Sequence, residues 1–304
     1  MPDVPSKLSA LVVSYYTGPC LRDCLSALLA QEALSEVIFV DNGNPAADQA
    51  YLDGLAAVTP HLTLIRPGSN LGFAKACNLA AGAASGEILL LINPDLLPPP
   101  GTIATLTATM RDHPEGWLFG GRLLNMDGSE QRGGRRDLPT PWRYMVEVLR
   151  LYRLFPAHPY FRRLHHHENE PETEIIPVSA ISGAFMAIAA DRWRQLGGLD
   201  ERFFFHFEDV DLCFRISRQQ GLVLYCGNIP IHHHLSSSDV SLCFVEWHKT
   251  IGAARYFAKN FSDTYPRWIM RLVKTALWGR FLLALHRNLP HDLGRLARKL
   301  WGPA

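Results

Sequence analysis

The sequence predicts an α/β fold, a mainly parallel central sheet flanked by helices and followed by a basic helical extension. Three observations predict it. Strand-like and helix-like patterns alternate through residues 8–111. The strand-like runs are continuously apolar, as in strands covered on both faces. Several of these runs also stop at polar or acidic residues, which places such groups on the rim of the sheet where ligands of α/β folds bind. At 304 residues with 47% hydrophobic content, the chain has ample material for a core.

The elements follow in order. Residues 8–14 form an apolar run ending at Ser14-Tyr15. Residues 20–31 carry Leu21, Cys24, Leu25, Leu28 and Leu29 at helical spacing. A second buried strand, 37–40, ends at Asp41-Asn42-Gly43, and a helix over 49–57 and a strand over 62–65 come next. Asn70-Leu71-Gly72-Phe73 leads into an alanine-rich helix, 73–84. The strand 88–92 ends at Asn93-Pro94-Asp95 and precedes a helix over 102–111. Strand–helix–strand order implies right-handed crossovers and a parallel sheet.

Periodicity is weak over 125–176, a stretch rich in Arg, Pro, His and aromatics that contains His165-His166-His167 and reads as an irregular insertion on the acceptor side. Order resumes at Ile181-Ser182-Gly183-Ala184 and a strand over 185–189. Helix 208–219 is expected to end on a Gly221 cap, followed by a short strand over 222–225, the run His232-His233-His234 and a helix over 246–261. The expected division is a catalytic domain over 1–262 and a basic amphipathic tail over 263–304.

Net charge is +1, so nothing global suggests a nucleic-acid partner. Six cysteines form no CxxC pair, the N-terminus lacks a signal-peptide pattern, and no apolar run reaches membrane-span length. The reading is a cytoplasmic, reducing location.

The densest chemistry lies at Phe203-Phe204-Phe205-His206-Phe207-Glu208-Asp209-Val210-Asp211, where three carboxylates adjoin an aromatic run. A carboxylate at the edge of an apolar wall suits a general base. Asp95, projecting from a strand end stiffened by Pro94, suits a hard divalent cation that keeps substrate oxygens in its shell; one of His232, His233 and His234 completes a sparse site for Mn²⁺ or Mg²⁺. No GxGxxG or Walker lysine motif follows the first strand, which argues against dehydrogenases and P-loop enzymes. A metal-bound nucleoside diphosphate and a separate carboxylate base point to group transfer from a nucleotide-activated donor.

These residues resemble the family 2 inverting glycosyltransferases of the GT-A fold, in particular their bacterial rhamnosyltransferase-like branch. The resemblance runs from about residue 8 to 261 and rests on Val-Val-Ser-Tyr (12–15), Val-Asp-Asn (40–42), Asn-Leu-Gly-Phe-Ala (70–74), Leu-Ile-Asn-Pro-Asp (91–95), Ser-Gly-Ala (182–184), Gly-Gly-Leu-Asp-Glu (197–201) and Phe-Glu-Asp-Val-Asp-Leu-Cys (207–213). It implies a donor site of Ser14, Tyr15, Asp41, Asn42, Asn70, Gly72, Phe73, Asn78, Asn93 and Asp95; Lys75, where a small residue is commoner, either joins it by reaching a phosphate or points to solvent. It implies a metal on Asp95 with His233 (or His232, His234). Asp209 is the implied base with Glu208 as its companion, and Ser182, Gly183 and Phe207 lie on the acceptor side.

The implied reaction moves a sugar, first of all rhamnose from dTDP-rhamnose, to a hydroxyl of a glycan or lipid-linked glycan in bacterial surface polysaccharide synthesis. A UDP-hexose or galactofuranose donor, or an inactive homologue acting as a binding module, are the alternatives. The chain departs from the family at Ser179-Ala180-Ile181, where Asp-Trp is usual, at Lys75, and at Leu235-Ser236, where glycines are usual. Residues 267–301 interleave basic and apolar side chains; they read either as a helix lying peripherally on anionic lipid or as one packed on the domain with a solvated basic face.

Overall fold

The computed structural model describes residues 7–154, 158–234 and 238–301, with side chains as far as residue 295. Leu235-Ser236 and the side chains of Arg298, Lys299 and Trp301 therefore lie outside the described residues. The chain divides into two compact units, one of 1–138, 165–202 and 208–239, the other of 139–164, 203–207 and 240–304. This division does not coincide with the expected boundary at 262: the helix before it and the phenylalanine run belong with the tail.

In the first unit, β1 (Leu8–Ser14), β2 (Glu36–Asp41), β3 (Leu62–Ile65) and β4 (Ile88–Ile92) pair in parallel, with α1 (Cys20–Leu29), α2 (Ala46–Val58) and α3 (Phe73–Ala83) as crossovers. Successive residues of β1 feed opposite layers. Leu8, Ala10 and Val12 pack with Leu21, Leu25 and Leu28, while Leu11 and Val13 pack with Ala74, Cys77 and Ala80. A sheet covered on both faces needs apolar side chains at every position, hence the unbroken runs.

Beyond β4 come β5 (Leu96–Leu97), α4 (Thr102–Asp112), β6 (Gly116–Leu124), β7 (Arg135–Arg136), β8 (Ile175–Val178), β9 (Ala180–Ile181), β10 (Phe185–Ala189), α6 (Ala190–Leu196), α7 (Glu208–Arg218) and β11 (Leu222–His233). The sheet order is β3-β2-β1-β4-β10-β6-β11-β5, with β8 also paired to β11 and β7–β9 forming a separate small ribbon. β10 runs antiparallel between β4 and β6, so the sheet is mixed rather than wholly parallel.

Three expectations change. β6 has no counterpart among the expected elements; its Gly120 and Gly121 leave room for Ile181 and Ile231, a Cβ at Gly120 meeting Ile181 at 2.6 Å, and Gly116 leaves room for Phe119 and Leu224. β11 is twelve residues long instead of four and carries the histidines on its end. The left-handed residue closing α7 is Gln220 (φ 58°), not Gly221. Gly221 is required for space: a Cβ there would meet Trp117 at 2.5 Å.

The second unit holds α5 (Pro141–Val148), two short 3₁₀ turns, α8 (Leu242–Phe261) and α9 (Arg267–Trp301). Val273, Leu277, Phe281 and Ala284 form a buried stripe of α9 at spacings of four, four and three. Inside this unit Arg280 reaches Glu246 of α8 at 2.8 Å. Among the described residues no helix is long and apolar enough to cross a membrane.

The first turn of α8 is capped from two directions. Ser241 accepts from the Phe244 N–H, and Asp292 of α9 accepts from the N–H groups of Leu242 and Cys243 and from the Ser241 hydroxyl. These bonds satisfy donors that a helix start otherwise leaves orphaned and hold the Asp292 carboxyl well below the usual carboxylate range. The depressed pKa contributes stability above the ordinary carboxylate range, lost as pH falls through it. Asp292→Ala is expected to lower stability at pH 7 by about 1 kcal/mol, as for loss of an N-cap. The deficit relative to wild type should shrink as pH falls below about 4. Thermal melts of both proteins across pH check this; a deficit that persists unchanged in acid would mean that the carboxylate is not what acts.

Candidate functional site

The parallel strands deliver their carboxyl ends to one rim. Ser14 and Asp41 are direct partners there in the β1–β2 register. The Asp41 carboxylate is buried and fully engaged: Oδ1 accepts from the Gly43 and Asn44 backbones and the Asn44 amide, and Oδ2 from Arg66 at 3.1 Å. Ser14 bonds Thr17 and Asn44. Tyr15 flanks Gly43, where a Cβ would meet its ring at 3.3 Å; Gly43 has φ 116°. These contacts shape a rigid turn, and Thr17, Asn44 and Arg66 are members that the sequence motifs did not reveal.

Asn42 and Asn70 clip the next loop onto this turn. Asn42 donates to Asn70 Oδ1 and accepts from the Leu71 N–H, while Asn70 accepts from the Gly72 N–H. Gly72, at φ 78°, turns the chain into α3, on whose first turn Phe73 is half-buried and Lys75 exposed. Asn78 does not face this loop. Both ends of its amide grip Leu199 across 121 residues, at 2.8 and 2.9 Å, so it braces the Gly197-Gly198-Leu199 segment.

Asp95 and His233 come together. Backbone pairing of β5 with β11 sets Leu96 opposite His233, and the imidazole Nε2 lies 3.0 Å from Asp95 Oδ1, both side chains buried. His234 donates its backbone N–H to the Asp95 carbonyl, and neighbouring residues of a strand point to opposite faces, so His233 is the histidine beside Asp95. Gln131 completes the arrangement. Its amide nitrogen donates to Asn125 Oδ1, which leaves Oε1 to accept from His233 Nδ1–H at 2.6 Å. The Nε2 edge of the ring is then the one turned to the carboxylate, the edge by which a histidine anchored through Nδ1 ligates a metal. This donor pair fits a divalent cation; with two protein donors, the rest of its shell would be water or phosphate oxygens. Among the described residues no group of three or more His, Cys, Asp or Glu side chains forms a closed cage. Asn93 sits at the start of this turn, its backbone N–H bonded to the Ala184 carbonyl.

Glu208 and Asp209 begin α7, and both are buried. Asp209 Oδ2 accepts from Arg136 Nη2 at 2.5 Å and from the Gly183 N–H at 3.0 Å, and Oδ1 accepts from the Val210 N–H at 2.7 Å. Arg136 and Gly183 reach it through the β7–β9 ribbon, where Arg136 pairs with Ala180. Ser182, between ribbon and β10, bonds Gly134 through its backbone and accepts from the Ala184 N–H. Glu208 has no such clasp: its Oε2 has no hydrogen-bond partner, and burial, followed by the charge of Asp209, pushes its carboxyl up to about 8. Asp211 pairs with Arg215, which donates to the Leu196 and Gly198 carbonyls and anchors α7 to the end of α6.

Phe207 directly precedes Glu208 in the chain and belongs to the second unit. Within that unit Phe207 packs on Tyr256 and Phe204 stacks on His248 of α8. His206 and Phe207 both adopt left-handed backbone, φ 68° and 72°, strained for side chains of this size. Gly252 makes room for them, since a Cβ there would approach the His206 carbonyl to 2.7 Å.

Two outcomes test this geometry. Because the folded-state pKa of Glu208 is raised, the folded chain holds a proton that the unfolded chain has released, and stability falls with rising pH between about 4.5 and about 8. Glu208→Gln should flatten that slope and gain stability relative to wild type at pH 8, measured by denaturant titration; an unchanged slope would refute the buried neutral carboxyl. Gln131→Ala should weaken Mn²⁺ affinity by roughly ten- to a hundred-fold by freeing the His233 ring. Calorimetric Mn²⁺ titration reads this, and wild-type affinity in the variant would remove Gln131 from the site.

Comparison with known proteins now has a geometry to attach to. The model of the family described as Glycosyl transferase family 2 matches residues 9–172. The chain is 27% identical over 312 residues to the N-acetylglucosaminyl-diphospho-decaprenol L-rhamnosyltransferase of Mycobacterium tuberculosis, with 96% of each chain covered. It is 23% identical over 231 residues to the low-salt glycan biosynthesis hexosyltransferase of Haloferax volcanii, covering 75% of this chain and 67% of that one. Among solved structures, a mannosyltransferase of Pyrobaculum calidifontis in complex with GDP-Man and Mn²⁺ superposes with a TM-score of 0.58 at 16% identity, over 99% of this chain and 77% of that one. GalNAc-T7 with UDP, GalNAc and Mn²⁺ gives 0.59 at 14% identity, over 96% of this chain but only 58% of the longer one. The sheet is thus that of the GT-A fold, and with a family match across more than half its length the chain belongs to glycosyl transferase family 2, whose members transfer sugars with inversion.

Proposed function

We propose that this enzyme is a metal-dependent glycosyltransferase that moves rhamnose from dTDP-rhamnose to a hydroxyl of a lipid-linked glycan in surface polysaccharide synthesis. The observation that carries the reading is the buried Asp95–His233 pair with its imidazole anchored by Gln131, read as a sparse cation site suited to a nucleoside diphosphate. The sugar and acceptor classes are supported by the named activity of the mycobacterial relative. A UDP-hexose donor is the second reading, supported by the hexosyltransferase relative.

In this reading Asp95 and His233 hold Mn²⁺ or Mg²⁺, which when bound supplies positive charge against the departing diphosphate. The turn built on Ser14, Tyr15, Asp41, Asn42, Asn70 and Gly72 forms the nucleoside floor, with Phe73, Lys75 and Asn93 at its edge. Asn78 contributes as a brace. Asp209 takes the proton from the acceptor hydroxyl, whose oxygen forms the new bond to the anomeric carbon as the bond to the diphosphate breaks on the opposite face. The proton ends on the Asp209 carboxylate and the electron pair on the leaving diphosphate, so configuration inverts in one displacement. Arg136 and the Gly183 N–H position that carboxylate, and Glu208, neutral at pH 7, adds no competing charge. Ser182 and Gly183 border the acceptor.

The test is a nucleotide-sugar panel assayed with chelator and with restored Mn²⁺. Transfer is expected with dTDP-rhamnose, abolished by chelation and by Asp95→Ala. Asp209→Asn is expected to lower kcat by about 10²–10⁴ while the donor-induced thermal shift persists. Residual activity within a few-fold of wild type in Asp209→Asn would unseat it as the base, and preferential transfer from a UDP-hexose would replace the donor.

A further inference from the structure

Helix α9 is apolar on two opposite sides, and only one of them is packed. The inward stripe, Val273, Leu277, Phe281 and Ala284, is buried. Half a turn away, Trp268, Leu272, Leu282, Leu283, Leu289 and Leu293 are 46–75% exposed and supply six of the sixteen large apolar side chains exposed among the described residues. At 100° per residue these six fall in one arc, with Thr275, Gly279 and His286 between them and no acidic residue. A contiguous exposed apolar face on a folded chain marks an interaction surface.

Charge selects the partner. Exposed Arg267, Arg271 and Lys274 line one border of the arc, and exposed Arg287 lies on the other. The one acid of α9, Asp292, is turned away and spent on the α8 cap. The face runs along a single helix, with a shallow open hollow over Arg271, Lys274, Thr275, Gly279 and Leu282, which suits a deformable surface. Apolar side chains projecting outward between cations, with tryptophan near one end, are the signature of a helix lying in the plane of a lipid interface. We propose that the outward face of α9 docks on an anionic membrane surface, its leucines and Trp268 entering the acyl boundary and its flanking cations meeting phosphate headgroups. The packed and lipid-bound readings of the tail are then two faces of one helix. The inference stands apart from the sugar-transfer reading, because membrane binding needs neither donor nor acceptor.

The experiment uses the full chain, without substrates, sedimented with vesicles of phosphatidylcholine alone or of phosphatidylcholine mixed with phosphatidylglycerol. Binding is expected on the anionic vesicles, weak on the neutral ones and falling with salt. The triple variant Leu282→Ser, Leu283→Ser, Leu289→Ser, whose changed side chains are exposed, is expected to keep the wild-type melting temperature and lose binding by about ten-fold or more. Arg267→Gln with Arg271→Gln and Lys274→Gln is expected to lose the anionic preference. Wild-type chain that stays in the supernatant with both vesicle types, or a serine variant that binds as well as wild type, overturns the proposal. So does a concentration-dependent dimer that the serine variant dissolves, which would assign the face to a second copy of the chain.

Discussion

Two adjacent carboxylates at the buried start of one helix cannot both stay charged without specific support, and the first unit is organised around meeting that demand. Glu208 meets it by keeping its proton. Asp209 meets it through a guanidinium and two backbone N–H groups. Neither Arg136 nor Gly183 is a neighbour in sequence; both arrive through the small β7–β9 ribbon, whose pairing sets Arg135 opposite Ile181. The irregular stretch after β6 is thus the structural source of the clasp rather than a decoration on the sheet. In the second unit, His206 and Phe207 adopt left-handed backbone. Such strain persists only where surrounding structure over-determines it, and Gly252 is the part of α8 that allows it.

The Asp95–His233 pair obeys a parallel logic. The His233 ring is held at both nitrogens: Nε2 lies against Asp95, and Nδ1 against the Gln131 Oε1, which is free to accept because the amide nitrogen of Gln131 is committed to Asn125. A two-step relay of side chains from the turn after β6 therefore sets the chemistry at the end of β11.

Much of this rim was legible in the sequence because its signals are local. Ser14, Asp41 and Asp95 each follow an apolar strand directly, and a change from apolar to polar within one residue needs no knowledge of distant contacts. The sheet order beyond β4 was not legible, because β6 depends on glycines whose purpose is to accept Ile181 and Ile231 from elsewhere. Gln131 and Arg136 were not legible for the same reason: their partners lie 102 and 73 residues away, and both sit in the stretch 125–176 that reads only as irregular. Asn78 shows the converse case: a polar residue on the helix after the Asn70–Gly72 loop invites a ligand role, and its amide bonds a segment 121 residues on. Asp41 was legible as a rim residue, but not its saturation by Arg66 and Asn44.

β11 breaks register with β6 between Cys226 and Pro230, where Gly227 turns against the Glu174 carbonyl. A single-residue insertion or deletion in that bulge would slide the end of the strand by one position and, in an ordinary strand, exchange the inward and outward faces. Here the residues on both sides of His233 are also histidines, so a slip in either direction returns an imidazole to the place opposite Leu96. The triplet thus keeps an imidazole opposite Leu96 whichever way the end of the strand slips by one residue.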